Sequence, residues 1–430
     1  MNDRFTVFTV LREWERSSLF LDSITERANL SHFAFRLVKG VVEKKMYLDH
    51  AIQQFVSRKP SDDVRIILRI AFYELLFNTS AQPYATVHEA VNLTSAIEPS
   101  GKGFVNAVLR SFLRADKVVE IPQDPIQRLS VEFSYPCWII ELFLTYYSYD
   151  DTRMLLQYNE DADYCDIRVN TKKIDVHSYC LLLETAEIAY ERDDTVPFHV
   201  RLFHTGNIQK LPGFHEGYFY VQDIAAQSIC ALALPLRGSL LDVGSAPGGK
   251  ISYFSHENPS RYPLYALDSS SRRIRRLHEN LHRLGVDDVT TIESDFLSYK
   301  PDTLFTHIFI DAPCSGLGVL HGKADIKYRL QEKDIESLRS LQLGMLIHAA
   351  GMLAPDGEII YSTCTLNRYE NQETIKEFLK AKEDYHCLPL SEKNCLRSSE
   401  TDGIVSEGIW FEPFPPRHRM AGMFAVKMKR

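Results

Sequence analysis

The chain has eight cysteines and no CxxC pair. Structural zinc sites and dithiol redox motifs need such pairs, and small secreted scaffolds need a dense disulfide framework. The scattered spacing argues against all three. It suits a reducing compartment, so a cytoplasmic location and no metal are expected. No apolar run reaches the roughly 18 residues of a membrane span, so no membrane is expected. The first stretch, MNDRFTVFTVLREWERSS, has acids and no apolar core ahead of a small-residue cleavage site. It does not look like a signal peptide. Solenoid-type repeats are missing. A positive net charge is missing too: the formal charge is −8. The acid excess lies in residues 131–235. An acidic middle can hide local basic faces, so charge alone does not exclude a nucleic acid.

What is present fits a globular protein of two or three domains in 430 residues. Hydrophobic content is 45% and charged content 25%, which leaves ample core. Residues 1–125 read as all-α. RIILRIAFYELLF places Ile66, Ile67, Ile70, Leu75 and Leu76 near one face, and ATVHEAVNLTSAI and GFVNAVLRSFLR share the helical spacing. Pro122 and Pro125 break VEIPQDPIQRLS and predict a linker. Residues 126–230 predict that linker and a small α+β subdomain, with short strands at DIRVNT and GYFYVQD. From 231 to 430 apolar strands alternate with helical stretches: GSLLDVG, YPLYALD, DVTTIESD, HIFIDAP and EIIYSTC. This predicts a doubly wound, mostly parallel α/β sheet of Rossmann-like type.

LLDVGSAPGGK is a strand running into a Gly-rich turn, Gly244, Ser245, Ala246, Pro247, Gly248, Gly249, Lys250. The spacing fits neither a Walker loop nor GxGxxG. An ordinary strand–helix turn would look similar. Asp268 ends the next strand, where an acid can accept both ribose hydroxyls. Asp295 ends the strand after it, where an acid can take the adenine amine. A nucleoside cofactor without phosphate fits this set, and points to S-adenosylmethionine over a dinucleotide.

Two thiols follow two further strands: Cys314 in DAPCSG and Cys364 in YSTCTLNRYEN. Strand ends of a parallel sheet face one crevice. Adjacent strands lie about 4.8 Å apart, so neighbouring strands would bring both thiols and Asp311 together. A buried cysteine is more often a small inert hydrophobe. Two of them at strand ends, one behind Asp-Ala-Pro, favour chemistry. Carbon 5 of cytosine is a poor nucleophile until a thiolate adds to carbon 6. An acid must then hold N3 and N4, and a further group must help release the product. A free thiol, with a pKa of about 8.5, is only a few per cent thiolate at pH 7.

DAPCSG, YSTCT with its downstream EN, and APGGK resemble the RNA cytosine-5 methyltransferase family. Within it the chain resembles the RsmB/Sun branch, with HEAVNLT…GKGFVNAVLRSFL similar to that branch's NusB-like domain. RVNT at 168–171, GYFYVQDIAAQ and PRHRMAGMFAVKM extend the resemblance over nearly the whole chain. The resemblance implies methylation of a small-subunit ribosomal RNA cytosine, of the cytosine 967 type. It implies Cys364 as nucleophile, Cys314 as the thiol assisting release, Asp311 near the methyl group and base, and Lys250 in the cleft. It also implies that Gly244 to Lys250 line the cofactor, with Asp268 on ribose and Asp295 on adenine.

Departures are small. Gly244, Ser245 and Ala246 stand where the family commonly has Cys-Ala-Ala before Pro-Gly-Gly-Lys, and Ala324, Tyr328 and Tyr369 replace Pro, Trp and Pro. The first of these changes should be harmless; Ala324 and Tyr328 bear on the shape of the substrate loop. Lys323, Lys327 and Arg329 follow the Cys314 loop and are expected to meet RNA phosphates. Arg272, Arg273, Arg275, Arg276 and Arg283 lie off the apolar stripe Ile274, Leu277, Leu281, Leu284, as a solvated face or a phosphate strip. The expectation is a monomer acting on ribosomal RNA. A non-catalytic RNA-binding assembly factor and the same chemistry on transfer RNA stay open.

Overall fold

A computed structural model describes residues 3–28, 30–79, 81–161, 164–192, 196–390 and 403–430. The chain divides into two compact units: Met1–Glu160 with Leu320–Leu330, and Asp161–Val319 with Gln331–Arg430.

The first unit is helical. Its central helix, Asp62–Phe77, starts where the Ser61 hydroxyl accepts the Val64 N–H, with Asp62 and Asp63 in the first turn. Both features favour a helix N-terminus. The helix buries Ile66, Ile67, Ile70 and Leu75 as the spacing predicts, and also Val64, Leu68 and Phe72. It is apolar almost all round because other helices surround it. Phe72 stacks on Phe112 of helix Lys102–Arg114 at 4.2 Å between centroids. Two charges of this helix are buried: Arg69 is 4% exposed and pairs with Asp49 and Glu15, and Glu74 is 2% exposed and pairs with Arg4.

Residue 125 is not a break in structure. Pro125 is the first residue of helix Pro125–Phe133, and the Asp124 carboxylate caps it by accepting Gln127 N–H at 2.9 Å. Proline suits this position because its missing N–H would be unpaired there anyway. Tyr47 N–H donates to Ser134 Oγ at 2.9 Å, which holds this helix in the same unit.

The second unit carries two sheets. The small one has strands β1 (Tyr164–Val169), β2 (Tyr190–Glu191), β3 (His199–Phe203) and β4 (Phe219–Val221), in the antiparallel order β2-β3-β1-β4. The large one contains β5 (Leu240–Val243), β6 (Leu264–Asp268), β7 (Val289–Glu293), β8 (Phe305–Asp311), β9 (Leu353–Thr363), β10 (His386–Cys387), β11 (Val405–Ser406), β12 (Trp410–Phe411) and β13 (Phe424–Lys429). Its order is β11-β12-β13-β9-β8-β5-β6-β7, with β10 on β13. The run from β9 to β7 is parallel, and β13 is antiparallel to β9. β5 and most of β8 are buried, as expected of central strands covered on both faces.

Buried polar side chains fasten the small sheet to the large one. Arg168 of β1 is 2% exposed and donates to Gln222 Oε1, Gly249 O and Ser252 Oγ at 2.7–2.8 Å. Asn170 donates to Gly217 O and Leu284 O, each at 2.9 Å. The RVNT stretch therefore reaches the start of helix Gly249–His256, which follows the Gly-rich turn.

Candidate active site

Strand order reverses at β5, because the chain goes from β5 to β6 and β7 on one side and then to β8 on the other. Ligand crevices in open α/β sheets form at such points. Gly244 leaves β5 with φ +75°, and a Cβ there would lie 2.9 Å from Asp311 O. Only glycine suits both the backbone and the close approach. A cavity of about 220 Å³ opens beside this turn, lined by residues that include Tyr220, Asp223, Ser245, Pro247, Lys250 and Asp311.

Asp268, at the end of β6, is 2% exposed. Its carboxylate accepts Ala246 N–H at 3.3 Å and Ser270 N–H at 3.1 Å. Arg273 lies 3.3 Å from it and donates to Ala246 O at 2.6 Å. Arg273 is thus drawn out of the basic strip to the expected ribose acid. Asp295 caps a short turn by accepting Leu297 N–H at 2.8 Å and is exposed. Ser245, the departure in the turn, donates to Asp242 Oδ2 at 2.7 Å, and burial pushes the Asp242 carboxyl up to about 7. A glycine elbow, a buried acid one strand away and exposed acceptors beyond suit a nucleoside with an amino-acid tail.

β8 and β9 are adjacent, with Asp311 opposite Ser362. The two thiols accordingly meet: Cys314 Sγ lies 3.2 Å from Cys364 Sγ, and Cys364 N–H donates to Cys314 Sγ at 3.2 Å. Neither cysteine is in a disulfide, and both are half-buried. Cys314 holds its proton well above the usual thiol range, because it is hydrogen-bonded to Cys364 and because it is buried. Beside them Lys250 Nζ donates to Asp311 Oδ2 at 2.7 Å. Burial pulls the Lys250 ammonium down, but the charge and hydrogen bond of Asp311, with Cys230 and Asp242, together outweigh it and the net shift is upward. The lysine stays charged, and Asp311 keeps a neutralising partner.

Glu370 and Asn371, the EN of the motif, hold the two thiol loops from behind. Glu370 is fully buried and accepts Ser315 N–H at 2.8 Å. Asn371 accepts from Thr363 Oγ1 at 2.6 Å and donates to Thr365 O at 2.9 Å. Ser315 Oγ and Thr365 Oγ1 are 2.6 Å apart and cross-tie the loops. No role for Glu370, Gln342 or Arg168 came from sequence reasoning. The signal for the first was an acid and an amide at fixed spacing after a thiol.

The basic residues behind the Cys314 loop need correction. Lys327 is 3% exposed, donates to Glu43 O and Phe133 O, and lies 4.1 Å from the Tyr135 ring. Arg329 donates to the carbonyls of Trp14, Ser17 and Leu19. Both are occupied inside the first unit, so neither is available to a phosphate. Tyr328 is likewise inside it, donating to Ser134 O at 3.0 Å. Of the expected RNA contacts, only Lys323 is exposed. In the basic helix, Arg283 donates to Phe214 O and Phe219 O. Among the described residues no cluster of metal-ligating side chains occurs, and no helix is long and apolar enough to cross a membrane.

Three family models match the chain. The 16S rRNA methyltransferase RsmB/F model covers residues 229–429, the NusB family model 1–114, and a ferredoxin-like domain of the RsmF/B-like methyltransferases 135–209. A Synechocystis protein named "Probable ribosomal RNA small subunit methyltransferase B" is 30% identical, over 99% of each chain. The Pasteurella multocida ribosomal RNA small subunit methyltransferase B is 32% identical over 82% of this chain and 79% of its own. Among solved structures, a methyltransferase homologue from Pyrococcus horikoshii superposes with a TM-score of 0.59 at 26% identity, over 72% of this chain and all of its own.

Proposed function

Because this chain belongs to the ribosomal RNA small subunit methyltransferase B family, we propose that it methylates carbon 5 of one cytosine in 16S ribosomal RNA through a covalent cysteine adduct. The observation that carries the reading is the pair of thiols 3.2 Å apart at the ends of β8 and β9, beside the Lys250–Asp311 ion pair. A protein that only binds RNA has no use for that arrangement.

The roles follow from the positions. Gly244 to Lys250 hold the cofactor, Asp268 takes the ribose hydroxyls, and Asp295 takes the adenine amine. S-adenosylmethionine, when bound, supplies an electrophilic sulfonium methyl to carbon 5. The Cys364 thiolate adds to carbon 6, forming an S–C6 bond and pushing the ring electrons toward O2 and N3. Asp311 holds the N3–N4 edge while that charge develops, and Lys250 keeps Asp311 in place. Release then runs backward. The C5–H electrons re-form the C5=C6 bond, and the C6–S electrons return to Cys364. Cys314, which holds its proton, passes it to the leaving sulfur and accepts the proton of carbon 5. Cys314 ends as it began, and Cys364 ends protonated; it gives that one proton, the proton the reaction releases, to water before its thiolate can attack again. The target base must leave its stack to reach this crevice. The expected base is of the cytosine 967 type.

Bisulfite sequencing of ribosomal RNA from a deletion strain tests the reading, together with transfer of labelled methyl by the purified chain. One protected cytosine should be lost in the deletion and restored in vitro. A methyl group found on an exocyclic amine or on ribose would refute the carbon 5 chemistry. Protection lost from a transfer RNA instead would move the substrate.

A further inference from the structure

All polar partners of the Glu370 side chain are donors. Oε1 accepts Ser315 N–H at 2.8 Å and Gln342 Nε2 at 3.1 Å. Oε2 accepts Asn367 Nδ2 at 3.0 Å. A carboxylate matches three donors, whereas a protonated carboxyl would set its own O–H against one of them. Gln342 uses the same Nε2 to donate to Pro313 O at 2.9 Å. The peptides on both sides of Cys314 are therefore gripped, one through Gln342 and the other by Glu370 itself. The grip is anchored to the other thiol's strand: Tyr361 of β9 donates its hydroxyl to Glu370 O at 2.9 Å. Glu370 thus fixes the Cys314 loop to the strand that carries Cys364.

Sulfur-to-sulfur proton transfer depends steeply on distance, and these sulfurs start 3.2 Å apart. Displacement of a reacting group by about 1 Å can cost on the order of a hundredfold in rate. The Glu370 charge also opposes ionisation of Cys314, alongside the larger effects of Cys364 and burial.

We propose that Glu370 is the positioning residue for product release: its carboxylate, through Ser315 N–H and with Gln342 on Pro313 O, sets the Cys314 thiol against Cys364. The proposal rests on the covalent reading above. The step it serves breaks C6–S, re-forms C5=C6, moves the Cys314 proton to the Cys364 sulfur and the carbon 5 proton to Cys314.

The test compares Glu370→Gln and Gln342→Leu with Cys314→Ala on 16S ribosomal RNA fragments. Glu370→Gln keeps the shape and removes the charge. Gln342→Leu removes both donors, and its Oε1 has no hydrogen-bond partner to lose. Each variant should slow turnover about ten- to hundredfold, with the KM for S-adenosylmethionine unchanged. Each should also accumulate a denaturant-resistant RNA adduct that depends on the cofactor, as Cys314→Ala does. If Cys314→Ala traps the adduct while both variants turn over like the parent, Glu370 only anchors a loop and the proposal fails. Loss of cofactor binding in both variants overturns it too, because the role is then general scaffolding. If Cys314→Ala forms no adduct while the parent methylates, it is the covalent reading that fails. Should Glu370→Gln not fold, Gln342→Leu decides alone: adduct supports the proposal, parental turnover refutes it.

Discussion

Residues 311–319 and 320–330 are consecutive, yet they belong to different units. The first stretch presents an acid and a thiol at the end of a buried strand. The second presents a lysine and an arginine, and the helical unit takes both in. In the first, side chains are held from behind by Glu370, Asn371 and Gln342 and keep their reactive atoms forward. In the second, the charged ends are themselves the fastenings. Lys327 and Arg329 donate to main-chain carbonyls, three of which lie near the C-terminal end of helix Asp3–Arg16. Cations favour that end of a helix because its last carbonyls lack partners. Similar residue types can be chemistry in one stretch and carpentry in the next, and what separates them is where the backbone's unmet hydrogen bonds lie.

Substitutions in the two stretches should therefore fail in different ways. The largest effect belongs to the thiols. Cys364→Ala should lower methyl transfer on the order of a thousandfold or more, form no RNA adduct, and melt like the parent. Cys314→Ala should instead trap the adduct on a denaturing gel. Adduct in the first variant and none in the second would exchange the two roles.

Next is Arg329→Ala, which leaves the Trp14, Ser17 and Leu19 carbonyls without their donor. Stability should fall by about 1–3 kcal/mol, read by urea unfolding, with S-adenosylmethionine affinity unchanged. A stable variant that fails to bind RNA would return Arg329 to the surface role first expected of it.

Lys327 gives a sign that depends on pH. Burial lowers its ammonium to about 7, while the unfolded chain keeps it near 10.4. The unfolded state then binds more protons between those values, so this group disfavours folding most near and below pH 7, and less as pH rises toward 10. Lys327→Met should raise the melting temperature at pH 7, by about 2 kcal/mol of stability, and the gain should shrink by pH 10. A gain that grows with pH would mean the ammonium is stabilised where it sits.

The smallest effect is at Lys323. Lys323→Ala should reduce the salt slope of RNA binding by about one unit, and Lys327→Met should leave it unchanged. Equal slopes in both variants and the parent would remove the second stretch from the RNA interface altogether.

The architecture was legible because its signals are local. Alternating apolar strands gave β5 to β9, and the stripe Ile274, Leu277, Leu281, Leu284 is the buried face of its helix. The thiol pair was legible because strand-end positions in a parallel sheet translate directly into neighbours in space. The fate of the charges was not. Whether Lys327 meets water or Tyr135 depends on residues far away in sequence, and no periodicity encodes that. Arg273 was read from its own helix, but Asp268 and Ala246 O claim it. Glu370 was visible as a motif letter without a role, since three of its tasks are main-chain or amide contacts that leave no pattern. Pro125 was read as a stop when it is a start, a distinction that rests on Asp124 before it.

Gly318 and Gly422 touch where no side chain could fit: a Cβ on Gly318 would fall 1.6 Å from Gly422 O, and Gly422 N–H donates to Gly318 O at 2.8 Å. Gly318 N–H in turn donates to Cys364 O at 3.0 Å. The loop that carries Cys314 is therefore closed by a segment just before β13. A side chain at either glycine would push this clasp open. The seat of the Cys314 loop therefore depends on a contact remote in sequence from both thiols.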